Sequence, residues 1–322
     1  MIVVTGGFGF IGSNLVRKLY SLGYKDICVV DNLNLYEKFH NLSDIPIERY
    51  YNRNEFLKLL KSREVILSEK DVIVHLGACS ATTEKDLEYL MSNNFNYSKA
   101  LFQAAQEVNC KFIYASSASV YGLGLKGFSE QVLGDPINGY AYTKFLFDNV
   151  VENFLATDCN MKVFGLRFFN VYGPREEHKK SMRSVIRVFW EQAHSTSYIK
   201  LFGRHGGYDA GEQQRDFVHV DDCVEQMIYL IENEAKSGIY NCGTGVARSF
   251  NSVAEIFKDW FKVKMRRSVQ VQYVEFPDSL KGGYQSYTQA DTAKCKENSV
   301  YIPKVNIEDG IIAYLDWLDT QN

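Results

Sequence analysis

The chain has 322 residues, 46% hydrophobic and 23% charged, a composition typical of a soluble globular protein with one large core or two unequal lobes. Its net charge of −3, with a basic run at 262–267 that is most simply a solvated face, argues against a nucleic-acid partner. The seven scattered cysteines contain no C-x-x-C pair, the six histidines show no metal-ligand spacing, and no apolar stretch approaches the ~20 residues of a membrane span. We therefore expect a cytoplasmic protein without a cleaved export signal, a metal or a membrane segment.

Runs of β-branched residues alternate with helical patterns through the first half of the chain. IGSNLVRKLYSLG ends at Gly23 as a helix does, and YAYTKFLFDNVVENFL places Tyr140, Lys144 and Asp148 along one helical stripe. Runs this apolar are typical of strands that are covered on both faces. The sequence therefore predicts an α/β fold with a doubly wound parallel sheet of the Rossmann type. The predicted strands are 2–6, 27–31, 71–77, 111–117 and 161–168.

The alternation ends after Pro174, and the rest of the chain is longer and more irregular between elements. The stretch 215–232, with Asp221 or Asp222 as a helix N-cap, is predicted to return to the first lobe. A later helix is predicted to open with a capping box from Ser252 to Glu255, and NIEDGIIAYLDWL is predicted to form the last helix. The division that this pattern predicts is a cofactor-binding Rossmann domain of residues 1–170 plus about 215–240, and a second, smaller α/β substrate domain of about 171–214 and 241–322.

A glycine-rich stretch, TGGFGFIG, lies directly after the first predicted strand and directly before a helix. It places Gly6, Gly9 and Gly12 at three-residue spacing. Gly6 allows a tight turn, Gly9 lets a pyrophosphate approach the backbone, and Gly12 lets the helix pack on the strand, so that the helix N-terminus faces the phosphates. In this context the glycines predict a dinucleotide site rather than a turn without a ligand.

The end of the second predicted strand bears on the identity of that dinucleotide. Asp31 would accept hydrogen bonds from the adenosine ribose, and by itself it predicts NAD. Asn32 follows, and Lys38 and Arg53 lie further along, so that a cation reaching back could neutralise a 2′-phosphate that Asp31 would otherwise repel. These residues alone leave NAD and NADP open.

Tyr140 and Lys144 are one helical turn apart, so the ammonium group is predicted to lie near the phenol. A tyrosine that acts as a base at pH 7 needs its pKa lowered by about three units, or about 4 kcal/mol, which one cation at ~4 Å and an effective dielectric of ~20 supplies. Ser117, at the end of a predicted strand, would hold the substrate oxygen as charge develops. The order of the three motifs predicts hydride-transfer chemistry rather than a packed helix face.

Together these motifs resemble the extended short-chain dehydrogenase/reductase superfamily, whose members mostly oxidise, epimerise or dehydrate nucleotide-activated sugars. The dehydratases of that superfamily carry an Asp-Glu pair beside the strand serine, where this chain has Ala118 and Ser119. The resemblance therefore implies reversible oxidation without elimination. An epimerase returns hydride to the other face of the same carbon, whose oxygen then points away from Tyr140 and needs another acid/base.

Lys179, in NVYGPREEHKKSM, is the candidate for that second role because it follows the predicted crossover between lobes. If it is desolvated beside Arg175 and Lys180, its pKa falls from about 10.4 toward a useful value. The alternative is a cation that holds the substrate diphosphate. His178 and Lys180 are expected to support the site or to face solvent.

Four segments narrow the resemblance to the ADP-L-glycero-D-manno-heptose 6-epimerase family. They are GACSATTEKD (77–86), FFNVYGPREEHKKSM (168–182), RDFV (215–218) and FPDSLKGGYQSYTQAD (276–291). That family inverts C6 of the heptose in ADP-D-glycero-D-manno-heptose through a 6-keto intermediate, with tightly held NADP, in the synthesis of the lipopolysaccharide core. The resemblance implies NADP rather than NAD, an ADP-heptose substrate and a homo-oligomer, namely a pentamer.

The resemblance also implies roles for single residues. Tyr140 and Lys179 match the two acid/bases of the family, and Lys144 and Ser117 match the residues that support them. With the glycine motif included, the predicted cofactor contacts are Gly6, Gly9, Phe10, Ile11, Gly12, Asp31, Asn32, Lys38, Arg53, Leu76, Gly77, Ala78, Cys79, Ser80, Asn93, Lys144, Val171 and Lys179. The predicted substrate contacts are Asn170, Ser181, Phe202, Gly203, Arg204, His205, Arg215 and Tyr284.

Three features depart from the family pattern. Arg53 replaces an expected lysine and keeps its charge, Val188 replaces a polar residue associated with substrate binding, and 202–217 is longer and richer in glycine. The loop around the nucleotide is therefore expected to differ in shape. Two alternatives stay open, a related nucleotide-sugar epimerase or dehydrogenase and a non-catalytic dinucleotide-binding regulator, and the intact Ser117, Tyr140 and Lys144 argue against the second.

Overall fold

The computed structural model of the chain describes residues 1–321, which form twelve strands and ten α-helices. The strands are β1 Ile2–Thr5, β2 Ile27–Asp31, β3 Arg49–Asn52, β4 Val72–His75, β5 Lys111–Ser117, β6 Val163–Phe168, β7 Asn170–Tyr172, β8 Tyr198–Phe202, β9 Gln214–His219, β10 Gly238–Cys242, β11 Ala247–Ser249 and β12 Gln270–Val274. The helices are α1 Phe10–Ser21, α2 Arg53–Lys61, α3 Leu87–Leu90, α4 Tyr97–Val108, α5 Gly139–Leu155, α6 Val185–Thr196, α7 Val220–Glu232, α8 Phe250–Lys264, α9 Ala293–Glu297 and α10 Ile307–Asp319. A π-helical turn, Met91–Asn96, joins α3 to α4.

Seven parallel strands form the main sheet, in the order β10-β6-β5-β4-β1-β2-β3. Ile2 and Val4 of β1 belong to the hydrophobic cluster that includes α1 and α7, whereas Val3 belongs to the cluster of α2, α4 and α5 on the other face. Helices therefore cover both faces, and the predicted doubly wound parallel fold is confirmed. The five predicted strands correspond to β1, β2, β4, β5 and β6. Strands β3 and β10 were not predicted, because RYYN and GIYNC contain no continuous run of β-branched residues.

The second lobe is built from a three-stranded sheet, β11-β9-β7, and a parallel pair, β12-β8. Helices α6, α8 and α10 pack around it, and its core includes the buried side chains of Trp190, Phe257 and Tyr314. β9 pairs with β7 and β11 rather than with the main sheet, whereas α7 packs beside α1. Of the stretch 215–232 that was predicted to return to the first lobe, helix α7 does so and strand β9 does not.

Two helix starts differ from the prediction. The N-cap of α7 is His219, whose ring nitrogen accepts from the backbone N–H of Asp221, so neither Asp221 nor Asp222 caps the helix. The N-cap of α8 is Ser249, whose hydroxyl accepts from the N–H of Ser252, so the predicted capping box was placed one turn too late. In both cases a strand leads directly into the helix and sets where the first turn begins.

Candidate active site

The glycine turn between β1 and α1 is too crowded for side chains. Gly6 has φ +68°, and a Cβ atom there would lie 2.7 Å from the backbone nitrogen of Gly77. A Cβ on Gly12 would lie 2.1 Å from the carbonyl oxygen of Gly6, which is the close helix–strand approach expected of a dinucleotide turn. Gly9 is the N-cap of α1, so the free N–H groups of the first helical turn lie beside this cradle. The turn fits a dinucleotide pyrophosphate.

Two adjoining cavities lie at the carboxyl ends of the main-sheet strands, where parallel α/β folds bind their ligands. One has a volume of about 520 Å³ and the other about 160 Å³. Every predicted cofactor contact lines one or both of them. Asn32, Arg53 and Asn93 line the smaller cavity, and the other predicted contacts line the larger one.

The Asp31 carboxylate is buried and already has three donors. It accepts from the backbone N–H of Phe8 at 2.9 Å and of Asn32 at 2.6 Å, and from the Lys38 ammonium at 2.7 Å. The Lys38 cation therefore neutralises the acidic group that would repel a phosphate. The Arg53 guanidinium lies over the Tyr97 ring, 5.4 Å from its centroid, on the wall of the 160 Å³ cavity.

Ser117, Tyr140 and Lys144 share one wall of the 520 Å³ cavity. Burial raises the pKa of Tyr140, and hydrogen bonding with Ser117 lowers it. Ser117 stands at the end of β5, where its hydroxyl also accepts from the Ser119 hydroxyl at 2.9 Å. A serine and a tyrosine that both face this cavity can share the hydrogen bonds of one substrate oxygen.

Lys144 lies beside the Tyr140 ring, but its hydrogen-bond partner is a backbone carbonyl. Its Nζ atom donates to the carbonyl oxygen of Ala115 at 2.7 Å and is 6.0 Å from the centroid of the Tyr140 ring. Burial lowers the pKa of Lys144 to about 8, and Asp148, one turn further along α5, raises it. Asp148 is itself held by Arg167 in a buried ion pair at 2.9 Å. The i, i+4 spacing is confirmed, but the nearby backbone carbonyl is the direct partner of the ammonium group.

Asn94 was not predicted, although it organises the wall of this site. Its side-chain oxygen accepts from the N–H of Cys79 at 2.8 Å, and its amide donates to the carbonyl of Cys79 at 3.0 Å and to the hydroxyl of Thr143 at 3.3 Å. The Thr143 hydroxyl donates in turn to the carbonyl of Tyr140 at 2.7 Å. Asn94 thus joins the loop after β4 to the helix that carries Tyr140. The pair Asn93-Asn94 within an apolar helical stretch is the only sequence signal for it.

Lys179 lies between the 520 Å³ cavity and a third cavity of about 720 Å³, and it lines both. Burial lowers its pKa and Glu176 raises it, so the predicted direction and the predicted desolvation hold, whereas Arg175 and Lys180 are not among the causes. Arg175 instead donates to Asn14 at 2.9 Å, and Lys180 is exposed. His178 is buried, with its ring 3.2 Å from the amide of Asn41.

The 720 Å³ cavity is lined almost entirely by the second lobe and contains most of the predicted substrate contacts. Its lining includes five of these contacts, Asn170, Ser181, Phe202, Arg215 and Tyr284. It also includes Val188, which departs from the family pattern. Gly203, Arg204 and His205 are absent from its lining. Two cations that the sequence did not single out, Arg183 and Lys200, also line it.

Aromatic rings surround Arg215 at one end of this cavity. Its guanidinium lies 4.6 Å from the centroid of the Tyr284 ring, and Tyr284 contacts Phe202 and Phe276 edge-on. His205 stacks on Phe276 at 3.7 Å, so it packs behind the lining rather than in it. Phe276 was not predicted as a site residue, although it opens the segment 276–291 that carries part of the family resemblance. A buried cation among ring faces suits a planar base that is joined to phosphates.

Two classes of site are absent from the described part of the chain. No cluster of three or more histidine, cysteine, aspartate or glutamate side chains within residues 1–321 has an arrangement that could hold a metal ion. In the same range, no helix is both long and apolar enough to cross a membrane.

Known proteins resemble this chain over nearly its whole length. A model of the NAD dependent epimerase/dehydratase family matches residues 2–243. An ADP-L-glycero-D-manno-heptose-6-epimerase from Alkalilimnicola ehrlichii is 47% identical over 317 residues, which is 98% of this chain and 97% of that protein. A protein of the same name from Cupriavidus pinatubonensis is 41% identical and covers 98% of each chain. The crystal structure of ADP-L-glycero-D-manno-heptose-6-epimerase from Helicobacter pylori superimposes with a TM-score of 0.81 at 29% identity, over 99% of this chain and 96% of that one.

These findings confirm the family resemblance drawn from the four signature segments. The match of the family model extends from the glycine turn through the Tyr140–Lys144 helix to the last strand of the main sheet, so it covers the whole dinucleotide-binding sheet. The full-length relatives extend the match through the second lobe. The chain therefore belongs to the NAD dependent epimerase/dehydratase family of nicotinamide-dinucleotide enzymes and, within it, to the ADP-L-glycero-D-manno-heptose 6-epimerases.

Proposed function

We propose that the protein inverts C6 of the heptose in ADP-D-glycero-D-manno-heptose by reversible hydride transfer through a 6-keto intermediate. The observation that carries this proposal is the position of Lys179, which lines both the dinucleotide cavity and the 720 Å³ cavity, while Tyr140 lines the dinucleotide cavity. Two proton-transferring groups at one junction are what inversion requires, because the substrate oxygen changes sides between the two half-reactions.

NADP is the cofactor that we propose. When bound, the dinucleotide would accept hydride from C6 in its oxidised form and return it in its reduced form. The ion pair of Asp31 with Lys38 and the charge of Arg53 favour NADP. The pair cancels the negative charge that would repel a 2′-phosphate, and Arg53 adds positive charge on the wall of the same cavity. The glycine turn at Gly6 and Gly12 would hold the pyrophosphate.

Residues of this chain carry the proton transfers. Tyr140 takes the proton of the C6 hydroxyl, while Ser117 donates a hydrogen bond to the same oxygen. Lys144 supplies a buried positive charge, 6.0 Å from the centroid of the Tyr140 ring, that favours the phenolate. After the 6-keto group has turned over, its oxygen faces Lys179, whose ammonium donates the proton. Tyr140 then releases its proton to solvent, and Lys179 takes one up from solvent.

The adenine and diphosphate of the substrate would lie in the 720 Å³ cavity. Arg215 and the aromatic rings of Phe202 and Tyr284 provide a site for the base, and Arg183 and Lys200 provide charge for the phosphates. Gly203, Arg204 and His205 would contact the substrate only if their loop moved toward this cavity.

The proposed biological setting rests on the family resemblance and not on the geometry of the site. We place the enzyme in the cytoplasm, in the synthesis of the lipopolysaccharide core, as a homo-oligomer with five subunits. We also propose a cofactor-binding domain of 1–170 plus about 215–240, from which strand β9 pairs with the other lobe, and a substrate-binding domain of about 171–214 and 241–322. Sizing in solution tests the number of subunits.

The direct test is incubation of the purified protein with ADP-D-glycero-D-manno-heptose, without added cofactor, with the configuration at C6 followed by NMR. Conversion to a mixture that contains the L-glycero epimer is expected, together with NADP in the denatured supernatant. UDP- and GDP-hexoses serve as the comparison. If cofactor is bound and only a UDP- or GDP-hexose reacts, the proposed substrate is wrong.

A further inference from the structure

Lys179 lies in a segment, 174–184, whose backbone is strained. Arg175 has φ +74° and Lys180 has φ +50°, although neither is glycine. Such left-handed conformations cost a non-glycine residue about 1–2 kcal/mol each and persist when the surroundings impose them. Contacts that join distant parts of the segment, or reach it from other elements, must therefore hold the conformation that presents Lys179.

Glu176 makes contacts of this kind. Its side chain is fully buried, and its carboxylate accepts from the hydroxyl of Ser184 at 2.6 Å, from the backbone N–H of the same serine, and from the hydroxyl of Tyr314 at 3.1 Å. Ser184 is the N-cap of α6 and Tyr314 lies in α10. One carboxylate thus ties the beginning of the segment to its end and both to the second lobe.

The same residue is coupled to Lys179 directly. The backbone N–H of Lys179 donates to the carbonyl oxygen of Glu176 at 3.0 Å, which closes one turn between them. The three donors to the Glu176 carboxylate are neutral, and Lys179 is the cation that lowers the pKa of this carboxyl against the rise that burial causes. In return, Glu176 raises the pKa of Lys179 while burial lowers it.

The other charged side chains of the segment, apart from the exposed Lys180, have their own partners. Glu177 pairs with Arg187 at 2.8 Å, and Arg183 pairs with Glu191. His178 contacts Asn41, the last residue of the short 3₁₀ helix Tyr36–Asn41 that follows β2. Glu177 is therefore a neighbouring carboxylate of the same charge that does not act on Lys179, which makes it a matched control.

We infer that Glu176 is a positioning residue for Lys179. The Glu176 carboxylate joins both ends of the strained segment to α10 and so fixes the Lys179 ammonium group at the opening between the two large cavities. The inference rests on the proposed role of Lys179 as the second acid/base.

The test compares Glu176→Gln, Tyr314→Phe and Glu177→Gln with the parent enzyme, each as the full chain with its cofactor. The readouts are kcat and KM for the heptose epimerisation, and the titration of Lys179 by NMR after reductive ¹³C-methylation of the lysines. The Lys179 resonance is assigned by its absence from Lys179→Met. Retained cofactor and circular dichroism report on folding.

Glu176→Gln is expected to lower kcat by at least about tenfold with KM little changed, because a small displacement of a reacting group is costly. It should also move the Lys179 titration to lower pH, since a negative charge is removed. Tyr314→Phe should lower kcat without that shift. Glu177→Gln should match the parent in both readouts.

Parent values of kcat and of the Lys179 titration in Glu176→Gln would overturn the inference. If Glu176→Gln does not fold, an unchanged kcat in Tyr314→Phe overturns it instead. If the parent enzyme fails to epimerise ADP-heptose, the proposed function fails, whereas the Lys179 titration in Glu176→Gln still tests the coupling by itself.

Discussion

The ammonium nitrogen of Lys179 lies 5.3 Å from the centroid of the Phe10 ring, which stands at the start of α1 beside the glycine turn. A residue that follows the crossover between lobes therefore contacts the dinucleotide turn. The nearby Asn14 amide donates to the carbonyl of Pro174 at 3.0 Å and fastens the same crossover to α1. This places the second candidate acid/base against the cofactor site instead of deep in the substrate lobe.

Lys179→Met should abolish most of the turnover while leaving the fold and the bound dinucleotide intact. Loss of a general acid/base typically costs about 10²–10⁴-fold in kcat, with little effect on KM. Steady-state kinetics of the epimerisation measure both constants. An increase in KM alone would identify Lys179 as a phosphate anchor, the alternative that the sequence left open.

Tyr140→Phe should lower kcat by a similar factor, about 10²–10⁴, because only the hydroxyl that exchanges the substrate proton is removed. The ring keeps its packing, so circular dichroism and cofactor content should match those of the parent. Tyr142→Phe, an exposed tyrosine on the same helix, is the matched control and should retain parent activity. Comparable activity in Tyr140→Phe and Tyr142→Phe would remove Tyr140 from the mechanism.

Lys38→Met should weaken NADP binding more than NAD binding. The substitution leaves the Asp31 carboxylate without its 2.7 Å cation partner, so its charge would repel a 2′-phosphate. A charge-assisted hydrogen bond is worth about 1.5–3 kcal/mol, which corresponds to about a 10- to 150-fold loss of NADP preference. Titration of cofactor-free protein with each dinucleotide measures the ratio, and Lys25→Met, an exposed lysine before β2, provides the comparison. An unchanged ratio would contradict the NADP assignment.

Asn94→Asp should loosen the loop after β4. The carboxylate can still accept from the N–H of Cys79, but it cannot donate to the carbonyl of Cys79 or to the hydroxyl of Thr143. Buried groups left without partners cost about 1–3 kcal/mol each. We expect a lower unfolding temperature and faster loss of bound dinucleotide, measured by thermal melts and by cofactor release. Parent-like cofactor retention in a folded Asn94→Asp would show that the hydrogen bonds of Asn94 do not help to hold the dinucleotide.

Stability should fall on acidification because of His75. This side chain is buried between the hydroxyls of Thr5 at 2.6 Å and Ser98 at 2.8 Å, and burial lowers its pKa to about 3. Since the Ser98 hydroxyl donates to the Asn94 carbonyl, Nε2 of His75 carries the proton and Nδ1 accepts from Thr5. Below pH ~6.5, His75 becomes protonated in the unfolded chain but stays neutral in the folded protein. Unfolding is therefore favoured increasingly down to pH ~3.

Urea unfolding at pH 7 and pH 5 tests this, with an expected loss on the order of 2 kcal/mol between them from this residue. His75→Gln is expected to lose stability at both values but to have a smaller difference between them. An equal pH dependence in both proteins would show that His75 is not the group responsible.

The parts of the site that could be read from the sequence depend on near neighbours. The glycine spacing, the serine at the end of β5 and the Tyr140–Lys144 helix each follow from one turn or one strand and its immediate flanks. Because parallel strands bring their carboxyl ends to one edge, these local motifs meet there without further information. Errors in the helix starts at His219 and Ser249 also have a local origin, since a strand that runs straight into a helix leaves no clear boundary in the residue pattern.

The sequence by itself determined the fold class, the family and the spacing of Tyr140 and Lys144. Tertiary structure alone decided the partner of the Lys144 ammonium, the clamp made by Asn94, and the burial that lowers the pKa of Lys179. The bond between Glu176 and Tyr314 joins residues separated by 138 positions. The reason is physical: periodicity and turn preferences act over a few residues, whereas desolvation and hydrogen bonds between side chains depend on which distant parts of the chain the fold brings together.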